Sequence, residues 1–248
     1  MLGLARTSNL ALNATTFDSH VAEGSESMTL QGTVNKTGVL LLCLCVSSAW
    51  SWNLARSESP TDVLSWAFIA SICGVIVALI TIYMKEFAPF TSPLYALLQG
   101  VALGGASSLI DRIFPGVAIH AVELTIAILG MMLLAYASGM VPVTEKFKIG
   151  LFAATGGIAL VYFIDSVLSF FGMRVPLIHD AGPWGIVVSL VIVAVAALNL
   201  LQNFDLIVTG VDQHAAKYME WYGAFALMVT LIWLYVEMLR LVAKVRRR

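Results

Sequence analysis

The sequence predicts an all-α integral membrane protein with seven transmembrane helices. Of its 248 residues, 59% are hydrophobic and only 12% are charged, which is about half the charged share of a soluble globular protein. The mean hydropathy is +0.89. A soluble domain of this size cannot bury so much apolar surface, so the composition indicates a lipid bilayer as the surroundings. It excludes a disordered chain, a secreted disulfide-rich module and an ordinary cytosolic enzyme. The net charge of −1 gives no reason to expect a nucleic-acid partner.

The predicted spans follow one another with short polar breaks between them. Residues 1–28 are polar and are predicted to form a flexible N-terminal tail, and residues 29–248 form the membrane domain. In chain order, the seven apolar runs cover residues 37–55, 63–84, 93–110, 117–141, 149–173, 184–208 and 221–242. Each is close to the roughly 20 residues that a helix needs to cross a bilayer. Pro142 closes the fourth run and Pro183 opens the sixth. A β-barrel would need alternating segments of about ten residues, which are absent.

Two groups of small residues are predicted to be helix-packing surfaces. Gly100 and Gly104 have the four-residue spacing that lets helix backbones approach closely in a membrane. The fifth run has a second group, which consists of Ala153, Ala154, Gly156 and Gly157.

Acidic residues inside apolar runs are the most informative candidates for function. A charge at mid-bilayer costs about 2.5–3.5 kcal/mol, so each such acid needs a partner, a proton or water. Asn199, Gln202 and Asp205 recur every third residue and form one polar stripe on the sixth helix. In the seventh run, Arg240 lies one turn beyond Glu237. Each of these acids also has an interpretation without a function: Glu237 could form a surface ion pair with Arg240, and Asp205 could be a solvated acid at the membrane interface.

Simple hairpin geometry places Asp205 and Glu237 far apart, because the end of one antiparallel helix lies beside the start of the next. The two acids can meet only if residues 209–222 cross back over part of the bilayer, or if one helix is offset along the other.

Three further ionisable residues lie in or near the spans. His120 and Glu123 are three residues apart on one face of the fourth run and could titrate near neutral pH, although a polar patch at the helix end is the more common outcome. Asp165 could line a water path or hydrogen-bond within the helix packing.

Over residues 28–248, the chain resembles the transmembrane Bax inhibitor motif family, in particular its bacterial Bax inhibitor-1/YccA-like members. The order and spacing of several stretches carry the resemblance. They are LYALLQGVALG at 94–104, ATGGIA at 154–159, AALNL at 196–200, NFDLI at 203–207, YMEWYGAF at 218–225 and LYVE at 234–237.

The resemblance implies a fold of two three-helix layers around a central C-terminal helix, in the bacterial plasma membrane. It also implies a pH-sensitive calcium leak that uses one acid in the sixth helix and one in the seventh, which correspond to Asp205 and Glu237. These two side chains would bind Ca²⁺ transiently. Glu237 stands where Asp is usual in the family, and Gln99 stands where Glu is common.

The expected mechanism follows from carboxyl chemistry. Two carboxyls in one dehydrated site share a proton, because both cannot ionise cheaply. Full ionisation would make them repel each other and would leave oxygen ligands suited to Ca²⁺. On this hypothesis, cation permeation rises as the pair loses its proton.

Other classes of function are distinguished by what they require. The chain has no His-Glu-x-x-His motif, no Gly-x-Ser-x-Gly motif and no phosphate loop, so it is predicted to be neither an enzyme nor a cofactor-binding protein. A proton-coupled cation exchanger would use the same acids but would respond to an imposed proton gradient. A regulator of membrane proteases or stress responses would bind membrane-protein partners and would conduct no ions.

Overall fold

The computed structural model describes residues 27–173, 175 and 180–247. Over this part of the chain, it contains seven helices that are long and apolar enough to cross a membrane. They are α1 (Leu30–Ser57), α2 (Pro60–Tyr83), α3 (Ala88–Ile113), α4 (Val117–Ala137), α5 (Glu145–Phe170), α6 (Pro183–Asp212) and α7 (Met219–Arg246). The predicted class, an all-α multi-pass membrane protein, is confirmed.

The helix boundaries differ from the predicted apolar runs, as the third and fourth helices show. The third helix starts at Ala88 after a 3₁₀ turn at Lys85–Phe87, and Pro93 lies inside it instead of opening it. Neighbouring helices and side chains can satisfy the backbone groups that a proline leaves unpaired in a membrane helix. The fourth helix ends at Ala137, short of the predicted residue 141.

The N-terminal end of the described chain is packed against the connection between α6 and α7. The Met28 backbone N–H donates to the Ala215 carbonyl at 2.7 Å, and the Met28 residue is only 2% exposed. Ser27 forms an isolated antiparallel bridge with Ala216. The predicted tail is therefore wrong for residues 27 and 28, which belong to the folded domain, while residues 1–26 lie outside the described part.

The helices form two groups with α7 between them. In one group α3 packs against α1 and α2, and in the other α6 packs against α4 and α5. Helix α7 contacts members of both groups, namely α1, α3, α4 and α6. Apolar side chains such as Phe68 and Ile69 of α2 point outward, as a lipid-facing surface requires. This is the layered arrangement around a central last helix that the resemblance implies.

The first predicted packing surface is confirmed at the contact of α1 with α3. Ser48 Oγ donates to the Gly100 carbonyl at 2.9 Å, and Ser51 Oγ donates to the Val101 carbonyl at 3.0 Å. A Cβ at Gly100 or Gly104 would overlap backbone atoms of α1. Close approach of the two backbones therefore depends on glycine at these positions.

The second predicted packing surface is wrong. Ala153, Ala154, Gly156 and Gly157 are exposed, and nothing lies within 4 Å of a Cβ built on either glycine. Helix α5 instead turns Thr155 toward the bundle, so the small residues beside it face outward.

Gly104→Ala is expected to lower the free energy of unfolding by about 1–3 kcal/mol, because the added methyl group would meet the Ser48 carbonyl of α1. Gly157→Ala is the matched control, and it should be neutral or slightly stabilising because alanine favours a helix over glycine. Thermal unfolding of both variants in detergent micelles measures the difference. Equal effects of the two substitutions would contradict the close approach of α1 and α3.

Candidate functional site: a polar seam along α5

Helix α5 presents a row of polar side chains to the bundle. Lys148, Thr155 and Tyr162 are spaced seven residues apart and therefore lie on one helix face. At a rise of 1.5 Å per residue their Cα atoms span about 21 Å, compared with roughly 30 Å of bilayer hydrocarbon. Each contacts a polar residue of α6 or α7, and we refer to these three contacts together as the polar seam.

The first contact of the polar seam is an ion pair. Lys148 Nζ lies 3.1 Å from Asp205 Oδ2, and the Lys148 residue is 8% exposed. The same ammonium lies 3.4 Å from Glu145 Oε1 at the first residue of α5. Asp205 is thus neutralised by a cation from another helix.

The middle contact is uncharged. Asn199 Nδ2 donates to Thr155 Oγ1 at 2.9 Å and to the Val195 carbonyl at 2.8 Å. Gln202, which is fully buried, follows one turn later on α6. The polar stripe predicted on the sixth helix is therefore present and faces the bundle.

The third contact holds the acid of α7. Glu237 is 2% exposed, and its two carboxylate oxygens accept from the Tyr162 hydroxyl at 2.8 and 2.9 Å. Arg240 Nη1 lies 3.3 Å from Glu237 Oε1, so the predicted i,i+3 ion pair is formed. The Arg240 guanidinium also lies 4.9 Å from the centre of the Tyr162 ring, within the range of a cation–π interaction.

The structure does not bring Asp205 and Glu237 together. Asn203 Nδ2 donates to Thr230 Oγ1 at 2.7 Å, which fixes the level of α6 against α7. Helices α6 and α7 are antiparallel, so their C-terminal ends point to opposite ends of the bundle. Asp205 lies two residues beyond Asn203 toward the C-terminal end of α6, and Glu237 lies seven residues beyond Thr230 toward the C-terminal end of α7. The two acids are therefore about 13 Å apart along the bundle axis. This is the separation expected from simple hairpin geometry, because residues 213–218 form a short connection that does not cross back over the bilayer.

The remaining candidate residues lie away from the polar seam or at its edge. His120 Nδ1 lies 3.2 Å from Glu123 Oε2 on α4, and both side chains are at least half exposed. Asp165 Oδ1 accepts from the Val175 backbone N–H at 2.9 Å. Gln99 is buried on α3 and lies close to α2.

Sequence reasoning missed the α5 side of the polar seam. Lys148 is near the start of an apolar run, where a lysine usually reaches the membrane surface, and Tyr162 is within an apolar stretch. The available signal was the seven-residue spacing of Lys148, Thr155 and Tyr162 on an otherwise apolar helix.

A second buried acid, Glu220, is also not predicted from the sequence pattern. It is completely buried in the first turn of α7. Its Oε1 accepts from both the backbone N–H and the hydroxyl of Thr29 at 2.8 Å, and Lys217 Nζ lies 3.3 Å away. Lys36 of α1 contacts the other carboxylate oxygen. Glu220 thus joins the start of α1 to the start of α7.

Comparison with known protein families gives a match over nearly the whole chain. The sequence model of the family described as Bax inhibitor 1 like matches residues 9–247, nearly the whole chain. No curated protein and no solved structure matches significantly. The chain belongs to the Bax inhibitor 1-like family.

Proposed function

We propose that this protein is a pH-sensitive cation leak, with the polar seam as the route across the membrane and calcium as the cation that the family resemblance suggests. The observation that carries the proposal is the row of three polar contacts made every seven residues along α5, by residues whose Cα atoms span about 21 Å of that helix. Polar groups at membrane depth are expensive and usually mark ion or water pathways. We place the protein in the bacterial plasma membrane on the strength of the same resemblance.

The packing of α5 supports a route that can open. Among the side chains of α5 that the structure describes, only Lys148 and Leu151 are buried. The helix packs mainly on α6, and the contacts of the polar seam join it to the bundle. Because α5 contributes little apolar core, breaking polar contacts would be enough to move it away from α6.

The pH response follows from the partners of each acid. Protonation of Asp205 removes the charge that attracts Lys148. The other ionisable neighbours are Glu145, which lies beside the Lys148 ammonium group, and Tyr136, which lies near Asp205. Cation flux is therefore expected to rise as pH falls. This is opposite to the sequence-based hypothesis, which assumed that Asp205 and Glu237 share a proton.

The same reasoning applies at the other end of the polar seam. Protonation of Glu237 would weaken its ion pair with Arg240, near which Lys244 also lies. Tyr162 would remain as a hydrogen-bond partner of the neutral acid. Glu237→Gln and Asp205→Asn should each flatten part of the pH profile of flux, and an unchanged profile in both would remove the acids from the mechanism.

The test of the route is flux into liposomes that contain a calcium-sensitive dye. Asn199→Leu is expected to reduce the initial rate at least about tenfold, because an apolar side chain would interrupt the middle of the polar seam. Thr155→Val should reduce it by a smaller factor. Thr81→Val is the matched control, since Thr81 is buried on α2 and donates only to the Val77 carbonyl.

Three other results would contradict the proposal. Equal rates for Asn199→Leu and Thr81→Val would place the route elsewhere. Calcium movement driven by an imposed proton gradient, without a calcium gradient, would favour the exchanger. Absence of flux from the purified protein, together with a stable membrane-protein partner in pull-downs, would favour the regulator.

A further inference from the structure

Asn203 carries a buried acceptor that the described residues do not satisfy. The whole residue is inaccessible to solvent, and its Oδ1 has no hydrogen-bond partner among these residues. The amide nitrogen is engaged, because Nδ2 donates to Thr230 Oγ1 at 2.7 Å, and that hydroxyl donates in turn to the Ala226 carbonyl at 3.3 Å. In this arrangement the carbonyl oxygen is the atom of the amide that is left without a partner in the described part of the chain.

The acceptor lies in an uncharged polar layer near the middle of the helices. Asn203 is one turn beyond Asn199, whose amide contacts Thr155 of α5. Gln202 is next to it and is also fully buried. The layer thus runs from α5 through α6 to Thr230 of α7. The nearest acid on α6, Asp205, is engaged by Lys148.

The hydrogen bond to Thr230 gives the amide nitrogen of Asn203 a structural role, but it does not account for the carbonyl oxygen. A buried carbonyl without a partner destabilises the folded state, whereas an apolar residue of the same shape would not. Proteins retain such groups chiefly where a ligand or a function uses them.

We propose that Asn203 Oδ1 is a ligand in a binding site for a monovalent alkali cation at mid-membrane. Amide and hydroxyl oxygens can replace part of the hydration shell of such an ion, as carbonyl oxygens do in ion channels. Because the layer carries no net charge, it suits Na⁺ or K⁺ better than Ca²⁺, which prefers carboxylates. The inference deepens the proposed function and rests on it for a role in permeation, but binding can be tested without flux.

The test is thermal unfolding of the purified full chain in detergent micelles. Sodium or potassium chloride is expected to raise the midpoint by about 2 °C or more over choline chloride at equal ionic strength, because a cation that binds only the folded state stabilises it. In Asn203→Leu this difference should vanish. The midpoint of that variant in choline should change little, because loss of the unsatisfied carbonyl offsets loss of the hydrogen bond to Thr230.

A second variant keeps the test decisive if Asn203→Leu does not fold. Thr230→Val removes the hydroxyl that orients the amide and should reduce the cation-dependent shift at least twofold. Thr81→Val should keep the full shift. No alkali-specific shift in the unmodified protein, or the same shift in Asn203→Leu, would overturn the site.

The two proposals fail separately. An alkali-specific shift that needs Asn203, in a protein that conducts no ions, would retain the site and remove the leak. Calcium flux without any alkali-specific shift would remove the site and retain the leak.

Discussion

Glu220→Ala is expected to lower the free energy of unfolding by about 3 kcal/mol, because it removes a buried carboxylate that accepts charge-assisted hydrogen bonds. The carboxylate is completely buried and accepts from two groups of Thr29. It also neutralises Lys36 and Lys217. Its removal would leave the Lys36 and Lys217 ammonium groups close together without a counter-charge and would detach the start of α1 from α7.

The measurement is the thermal unfolding midpoint in detergent micelles, with a decrease of about 10 °C expected for a chain of this length. Glu220→Gln keeps an acceptor oxygen but not the charge, so its unfolding midpoint should lie between those of the unmodified protein and Glu220→Ala. Glu123→Ala is the control, since that side chain is 66% exposed and contacts His120. If Glu220→Ala lowers the unfolding midpoint no more than Glu123→Ala does, the ammonium groups of Lys36 and Lys217 are satisfied by solvent.

Hydropathy alone was sufficient to predict the seven helices, because each apolar run must leave water whatever its neighbours are. The ends of the helices were harder to predict. Pro93 looked like a start signal, yet α3 begins five residues earlier, since the backbone groups around a proline can be satisfied by neighbouring helices. Met28 looked like part of a polar tail, but it packs against the α6–α7 connection.

The candidate site was predicted in part for a related reason. The stripe of Asn199, Gln202 and Asp205 is a property of one helix and can be read from spacing. The partner of Asp205 depends on which helix packs beside α6, and no local pattern encodes that choice. The expected partner, Glu237, belongs to the next helix in sequence, whereas the observed partner, Lys148, belongs to the preceding one.

The different partners change the electrostatics of the site. Two acids in contact would favour a shared proton and would repel each other when ionised. Here each acid lies beside a cationic side chain, Lys148 or Arg240, so ionisation strengthens the contact. The contacts of the polar seam are therefore strongest when both acids are charged.

Lys148→Met is expected to raise cation flux in liposomes about tenfold, since a partly buried ion pair contributes on the order of 1–2 kcal/mol and each 1.4 kcal/mol is a factor of ten. Methionine retains the length of the lysine side chain but not its charge. The substitution would free Asp205 to attract a cation and would remove one contact that holds α5 to α6. Flux should also lose the part of its pH dependence that comes from Asp205.

Lys146→Met is the matched control, because it makes the same change of charge two residues away at an exposed position of the same helix. Lys148→Arg keeps the charge and should preserve low flux at neutral pH. An equal increase in Lys146→Met would assign the effect to the surface charge of α5, because both substitutions remove one positive charge from that end of the helix. A decrease in Lys148→Met would mean that the ammonium group assists permeation, and the ion pair with Asp205 would then be part of the conducting state.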